Sequence, residues 1–564
     1  VALTLQRRIV RGEMVRRGMA ATYHELAQDD GERHLVREEL LPGAAQLWRD
    51  GAGRPGTRRP LLALAHITDL QLADVQSPVR FEFFNREYTD PRFADLVPVQ
   101  RPQEALTSHA VLATIETLNR VEGAPETGAP LELAVTTGDA IDNAQWNELQ
   151  AFLALFDGGQ VRTRSGGPRY EGVQSRHWPD TTFWRPDGPG ADGLDDMFRA
   201  MFAFPHLPGL IDRALDPLRS PGLNVPWLAC YGNHEALIQG VGVVTPQIAS
   251  AAVGARKPVA LPEDLDKDTA LETFIVGSQA FLAGVERPLT PDPDRRHVTR
   301  TDFVRAHLHA GSRPAGHGFT EANVREGTAY YVHDLPGVRM IGMDTTRVTG
   351  ASAGAMDVDQ LRWLERRLAE VHSRYRGPDG STVTTSADDR LVVLFSHHGI
   401  DTLTNLRAAG PQTEAGPDGA DVVGGPAVRT LLHRFPNVVL WLNGHTHTNG
   451  VRPRIDPLDA AHGFWEVTTS AIVDWPCQSR IVELVDLSGG AMAVVCTMVD
   501  HSGPLGYGSS FDGSSLSTRQ LAGLHRELAA NMPLLGTGSW REGERHDRNV
   551  VLPLPAPFDL SRLR

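Results

Sequence analysis

Five times along this 564-residue chain, a short apolar run stops at a side chain able to bind a metal or move a proton. Leu61 to Thr68 (LLALAHIT) ends at Asp69, and 131–137 (LELAVTT) ends at Gly138-Asp139. The run 225–231 (VPWLACY) leads to Gly232-Asn233-His234, 391–396 (LVVLFS) to His397-His398, and 437–442 (NVVLWL) to Asn443-Gly444-His445. Nearly unbroken apolar runs of this length predict strands buried on both faces. The carboxyl ends of such strands are where α/β proteins place ligands.

Between the runs lie helical patterns, Gln103–Asn119 and Asp357–Ser373, with apolar residues three and four apart. Tyr330–Val332 and Val338–Met343 predict a hairpin leading to Asp344, and Gly463–Ser470, Arg480–Val485 and Ala491–Val499 predict further strands. Two connections, about 155–222 and 240–325, are too long for ordinary loops and are rich in Gly, Pro, Arg and Asp. They are expected to be insertions around the mouth of a site. The division expected is an irregular N-terminal segment over 1–60 with a helix or hairpin, a main domain over 61–500 that carries both insertions, and a tail over 501–564 that is Gly- and Ser-rich, then partly helical.

Composition narrows the partners. With 41% apolar and 22% charged residues the chain reads as globular. Its 55 Lys and Arg against 69 Asp and Glu leave a net charge of −14, which disfavours nucleic acid. No run approaches the ~18 apolar residues of a spanning helix, and the basic N-terminus lacks an apolar core of the signal type, so no membrane insertion is expected. Cys230, Cys477 and Cys496 are far apart and read as buried free thiols. That slightly favours a cytoplasmic location, although an exported chain whose signal had been removed would read alike. The Gly-rich stretches lack a Lys-Ser/Thr ending, so no nucleotide P-loop is expected.

Asp69, Asp139 in TTGDAIDN, Asn233 and His234 in YGNHEAL, His397 and His398 in FSHHGI, and His445 and His447 in LNGHTHTN together supply carboxylate, amide and imidazole ligands. Such a set suits a pair of metal ions acting on a phosphoester. In this order the blocks resemble those of the calcineurin-like metallophosphoesterase superfamily, and the long insertions are similar to those of a poorly characterised bacterial branch of it. The resemblance covers roughly 61–500. It implies two facing mixed β-sheets flanked by helices, and hydrolysis of a small phosphoester, diester or monoester, by a metal-bound hydroxide.

Carried over, Asp139 would bridge two divalent or trivalent ions, Mn, Fe or Zn. Asp69 and His447 would hold the first; Asn233, His397 and His445 would hold the second. His234 would protonate or stabilise the leaving side, with Glu235 orienting its ring. The pattern's Asp-x-His reads Asp69-Leu70-Gln71 here, exchanging an imidazole for an amide. Gln71 would coordinate through its oxygen or hold a water, and lower affinity at the first site is expected; His66 faces away from Asp69 and is no substitute. The phosphoprotein phosphatases' Arg is also absent at Asp142-Asn143, leaving Arg80, Arg86 and Arg347 as candidate phosphate binders. His317, His333 and His462 lie outside the blocks and are expected on the surface or in insertions. Trp475, Pro476, Cys477, Gln478 and Arg480 line either the core or a substrate wall. Two other readings stay open: a non-catalytic binding or scaffold protein whose first metal site has failed at Gln71, and a nuclease with a basic groove.

Overall fold

The computed structural model describes residues 3–50, 58–407, 421–506, 512–535 and 539–563. Two mixed β-sheets face each other. The six-stranded sheet runs in the order Tyr331–Leu335, Val338–Gly342, Leu391–Phe395, Val438–Asn443, Asp459–Thr468, Gly450–Asp456. Its four inner strands are parallel. The seven-stranded sheet runs Leu35–Val36, Val550–Pro555, Ala491–Asp500, Gln478–Ser488, Arg59–Ile67, Leu133–Thr136, Trp227–Leu228. Its last three strands are parallel.

Alternation along the strands explains why the apolar runs are unbroken. Val393, Phe395, Leu440 and Leu442 enter the core that also holds Leu62, Leu64, Val482 and Leu484 of the opposite sheet. Val392, Leu394 and Trp441 point the other way, against Leu364 and Leu368 of the helix Val358–Ala369 and Val428 of the helix Gly425–Leu432. Both faces of the parallel strands are therefore dry, as βαβ connections require.

The N-terminal segment forms a hairpin, Arg7–Arg17 with Thr22–Asp30, before Leu35–Val36 joins the seven-stranded sheet beside Val550–Pro555. The tail thus returns to that sheet after the helix Thr518–Ala530. The Gly- and Ser-rich start of the tail lies partly outside the described residues, at 507–511, as do residues 51–57 of the N-terminal segment.

The two insertions differ in placement. Trp184, Phe198, Phe204 and Leu210 of the first pack with Leu521, Leu524 and Leu528 of the tail helix. Ile248, Phe274 and Phe281 of the second pack with Phe81, Phe84 and Phe93 from the segment after the first core strand. The same insertion carries His317, which is fully buried and stacked on Trp227 at 3.6 Å between ring centroids, not exposed. His333 is half-buried and His462 exposed. Cys230, Cys477 and Cys496 are free and buried. No helix among the described residues is long and apolar enough to cross a membrane.

Leu394 tests this layered packing. Leu394→Ala removes a buried side chain between sheet and helix, and is expected to lower unfolding free energy by about 2–5 kcal/mol, read as a lower denaturant midpoint in urea.

Candidate metal centre

The strand ends of both sheets converge. Asp69 follows Ile67, Asp139 follows Thr136, His397 follows Phe395, and His445 and His447 follow Asn443. Asn233 and His234 open a four-residue helix after the short strand Trp227–Leu228. Several of these residues lie in the left-handed backbone region: Asp69 at φ 50°, Gln71 at 44°, Asp139 at 51°, His445 at 68° and His447 at 57°. Few non-glycine residues adopt such angles, and clusters of them mark functional sites. A Cβ at Gly444 would stand 2.3 Å from Asp69 Oδ2, so glycine there lets the backbone reach the carboxylate. Through that approach the His445 N–H donates to Asp69 Oδ2 at 3.0 Å.

The side chains meet in pairs. His397 Nε2 lies 3.1 Å from Asp139 Oδ2 and 3.2 Å from His445 Nδ1. His447 Nε2 lies 3.2 Å from Asp69 Oδ1. Ligand-atom oxygens and nitrogens of Asp69, Asp139 and His397 all fall within 4.8 Å of one another.

The far nitrogens fix the tautomers. His397 Nδ1 is 2.8 Å from the Thr137 carbonyl oxygen, and His447 Nδ1 is 2.6 Å from Asp474 Oδ2. Both contacts require N–H at Nδ1. Each Nε2 then faces a carboxylate oxygen, a contact that is favourable when the nitrogen carries a proton or when a cation lies between the two atoms. Metal-ligating histidines have this outer partner pattern. Asn233 adds an amide oxygen: its Nδ2 donates to the Gly240 carbonyl at 3.0 Å, while its buried Oδ1 has no hydrogen-bond partner. These donors fit a metal pair.

The electrostatics show the same demand for positive charge. Burial disfavours charge on Asp69 and on Asp139, but His447 beside the first and His397 beside the second outweigh it and hold both carboxyls below their usual value. His397 is raised to about 9, burial opposing and Asp139 prevailing. Burial, then repulsion from His397, takes His445 down to about 3. His398 brings a ring nitrogen within 4.8 Å of nitrogens of His397 and His445, but both its nitrogens have other partners: Nδ1 meets Thr345 Oγ1 at 3.0 Å and Nε2 the Ser352 carbonyl at 2.8 Å. His66 is held by Thr137 and Thr469 hydroxyls.

Gln71 stands at the edge of the group and presents nitrogen to it. Its Nε2 is 3.1 Å from His234 Nε2 and 3.3 Å from His447 Nε2, and its buried Oε1 has no hydrogen-bond partner. A half-turn of the amide would exchange the two atoms.

His234 and Glu235 have separate surroundings, which corrects one expectation. His234 Nδ1 lies 2.8 Å from the Asp142 carbonyl and 3.5 Å from Asp142 Oδ1. Burial opposes charge on His234, while Asp139 and Asp142 raise it to about 9. Asp142, not Glu235, therefore orients the ring, and Arg80 Nε lies 3.0 Å behind Asp142 Oδ2. The Glu235 carboxylate instead accepts the backbone N–H groups of Gly232, Asp139, Ala140 and Ile141, tying the two loops together. Burial and then the Asp139 charge push Glu235 up to about 7, against those donors.

A cavity of about 290 Å³ opens above the group, lined by Gln71, Asp139, Asn233, His234, His445 and His447 and by apolar side chains. None of its lining residues comes from 155–222, whereas Gln239, Val241 and Phe274 belong to or border the second insertion. Of the two insertions, only the second contributes to the cavity among the described residues. The candidate phosphate binders also miss it. Arg80 is buried on Glu104 and Asp142, Arg86 pairs with Asp180, and Arg347 reaches the Arg407 carbonyl. The arginines lining the cavity are Arg101 and Arg541. Trp475, Cys477 and Arg480 are core residues, and Asp474 beside them is the one that touches the group.

No protein-family model matches the chain, and no curated protein does. Among solved structures it is similar to a dimetal phosphatase from Danio rerio, with a TM-score of 0.34 and 12% identity over 78% of this chain and 100% of that one.

Glu235 provides a test of the loop tie. Glu235→Gln removes one acceptor oxygen from four N–H groups and is expected to destabilise the fold by about 2–4 kcal/mol; a thermal melt unchanged from the parent would contradict the role.

Proposed function

We propose that the chain is a metal-dependent phosphoester hydrolase of the calcineurin-like metallophosphoesterase type. The observation that carries this reading is the pair of imidazoles whose Nδ1–H groups are tied outward while Nε2 faces Asp139 and Asp69. Asp69, His447 and the bridging Asp139 would hold one ion; Asp139, Asn233, His397 and His445 would hold the other. Imidazole-rich sets of this kind favour Zn, Fe or Mn over Mg and Ca. Bound there, two such ions would activate water and neutralise phosphoryl oxygens.

The chain's own groups supply the remaining chemistry. His234 Nε2 borders the cavity while Nδ1 is anchored on Asp142, so the ring presents one nitrogen to a leaving oxygen and passes it a proton. Glu235 keeps Asp139 and Gly232 in register. Leu96, Val99 and Phe274 give the cavity an apolar part of its lining.

The purified protein, loaded with Mn or Zn, is expected to hydrolyse p-nitrophenyl or bis-p-nitrophenyl phosphate. His234→Ala is expected to lower kcat/KM by about 10²–10⁴ and Asp139→Asn by at least as much. Equal rates in all three proteins would sink the assignment.

A second reading, a binding protein without catalysis, draws on Gln71, whose nitrogen faces His447 Nε2. Calorimetric titration separates the two. Gln71→His is expected to tighten the weaker metal site by about 10–100-fold; if the parent binds no metal and the variant binds two, the second reading gains.

A further inference from the structure

A second charged layer stands beside the metal cradle. Asp474 is fully buried, and its Oδ2 accepts from His447 Nδ1 at 2.6 Å and from Arg541 Nη1 at 3.1 Å. Arg101 clasps the same carboxylate through Nε at 2.8 Å to Oδ1 and Nη2 at 3.3 Å to Oδ2. One carboxylate is thus shared by two guanidinium groups and the His447 ring, while Asp95, Asp139 and Asp142 line the same cavity. Both arginines are 8% exposed and line the cavity that holds Asp139, His234 and His447.

A guanidinium carries five N–H donors. Asp474 takes two from Arg101 and one from Arg541, and Arg541 Nε is buried with no hydrogen-bond partner. An arginine fixed from behind by a carboxylate is a preorganised receptor for phosphoryl oxygens. The apolar side chains of Leu96, Val99, Val241 and Phe274 line the same cavity. These side chains are the rim of the phenylalanine-rich cluster that joins the second insertion to 79–99, so the wall is firmly backed.

We propose that the site takes a phosphate monoester of an alcohol bearing an apolar group, with Arg101 and Arg541 receiving the phosphoryl dianion and the Leu96–Phe274 wall receiving the alcohol. This rests on the hydrolase reading above. A monoester carries close to two negative charges above its second pKa of about 6, against one on a diester, so cations beyond the metal pair favour it. In the reaction, water's oxygen bonds to phosphorus and releases one proton to solvent, the phosphorus–alcohol oxygen bond breaks, and His234 hands its proton to the departing oxygen and regains one from solvent. Inorganic phosphate and the alcohol leave.

The test uses the full chain loaded with Mn or Zn, with metal content measured for each variant. kcat and KM are taken for p-nitrophenyl phosphate and bis-p-nitrophenyl phosphate, with inorganic phosphate binding by calorimetry. The parent is expected to prefer the monoester. Arg541→Gln and Arg101→Gln are each expected to raise its KM and the phosphate Kd about tenfold or more, the worth of one charged hydrogen bond, while the diester KM moves less than about threefold. Arg541→Lys should recover part of the loss, and Phe274→Ala should raise KM for p-nitrophenyl phosphate but leave the phosphate Kd unchanged. A parent that prefers the diester, equal losses on both esters, or metal loss in the Gln variants would overturn the proposal; the last would leave the arginines as supports of Asp474 and His447. Should the Gln variants fail to fold, the parent's ester preference and the Phe274→Ala pair of constants decide. A fully metallated parent that hydrolyses neither ester would overturn the hydrolase reading itself.

Discussion

Two buried carboxylates facing imidazole nitrogens set the terms for the rest of the structure. Asp69 and Asp139 are removed from water, and burying an uncompensated carboxylate is prohibitive. His397 Nε2 and His447 Nε2 stand against them with their other nitrogens already committed to Thr137 and Asp474. Each carboxylate is balanced by positive charge at the facing nitrogen, carried by a proton on the ring or by a cation between the groups. The left-handed backbone at Asp69, Asp139, His445 and His447 keeps these side chains crowded together, and the sandwich core beneath supplies the rigidity that holds it.

The sheets build the cradle, while the segments between strands give it walls. Arg101 and Leu96–Val99 come from the crossover after the first core strand, Val241 and Phe274 from the second insertion, and Arg541 from the tail. The tail is anchored because Val550–Pro555 pairs within the seven-stranded sheet. On the proposed reading, the cavity wall is carried by connections between strands and the metal ligands by strand ends.

Much of the cradle was legible in the sequence because the parallel strands are buried on both faces. Residues 391–396 and 437–442 read as strands for that reason, and the polar residues at their ends stand at the site. The strand before Asn233 was read too long: only Trp227–Leu228 pairs, since Cys230 and Tyr231 already turn toward the loop. Glu235 was misread because adjacency to His234 says nothing of direction; a single helical turn sends its carboxylate back to the Asp139 loop. Asp474, Arg101 and Arg541 gave no local signal. Their meeting joins positions 373 and 67 residues apart, which no periodicity or short motif encodes. The strand Leu35–Val36 is likewise too short to show a pattern.

The most direct measurement is anomalous diffraction from crystals grown with Mn or Zn, which locates the metal without relying on turnover. The account predicts two peaks about 3.5–4 Å apart, one within bonding distance of Asp69 and His447, the other of Asn233, His397 and His445, with Asp139 between them. A structure at full metal supply with no peak at these residues, and with His397 Nε2 and His447 Nε2 still paired to the carboxylates, would contradict it.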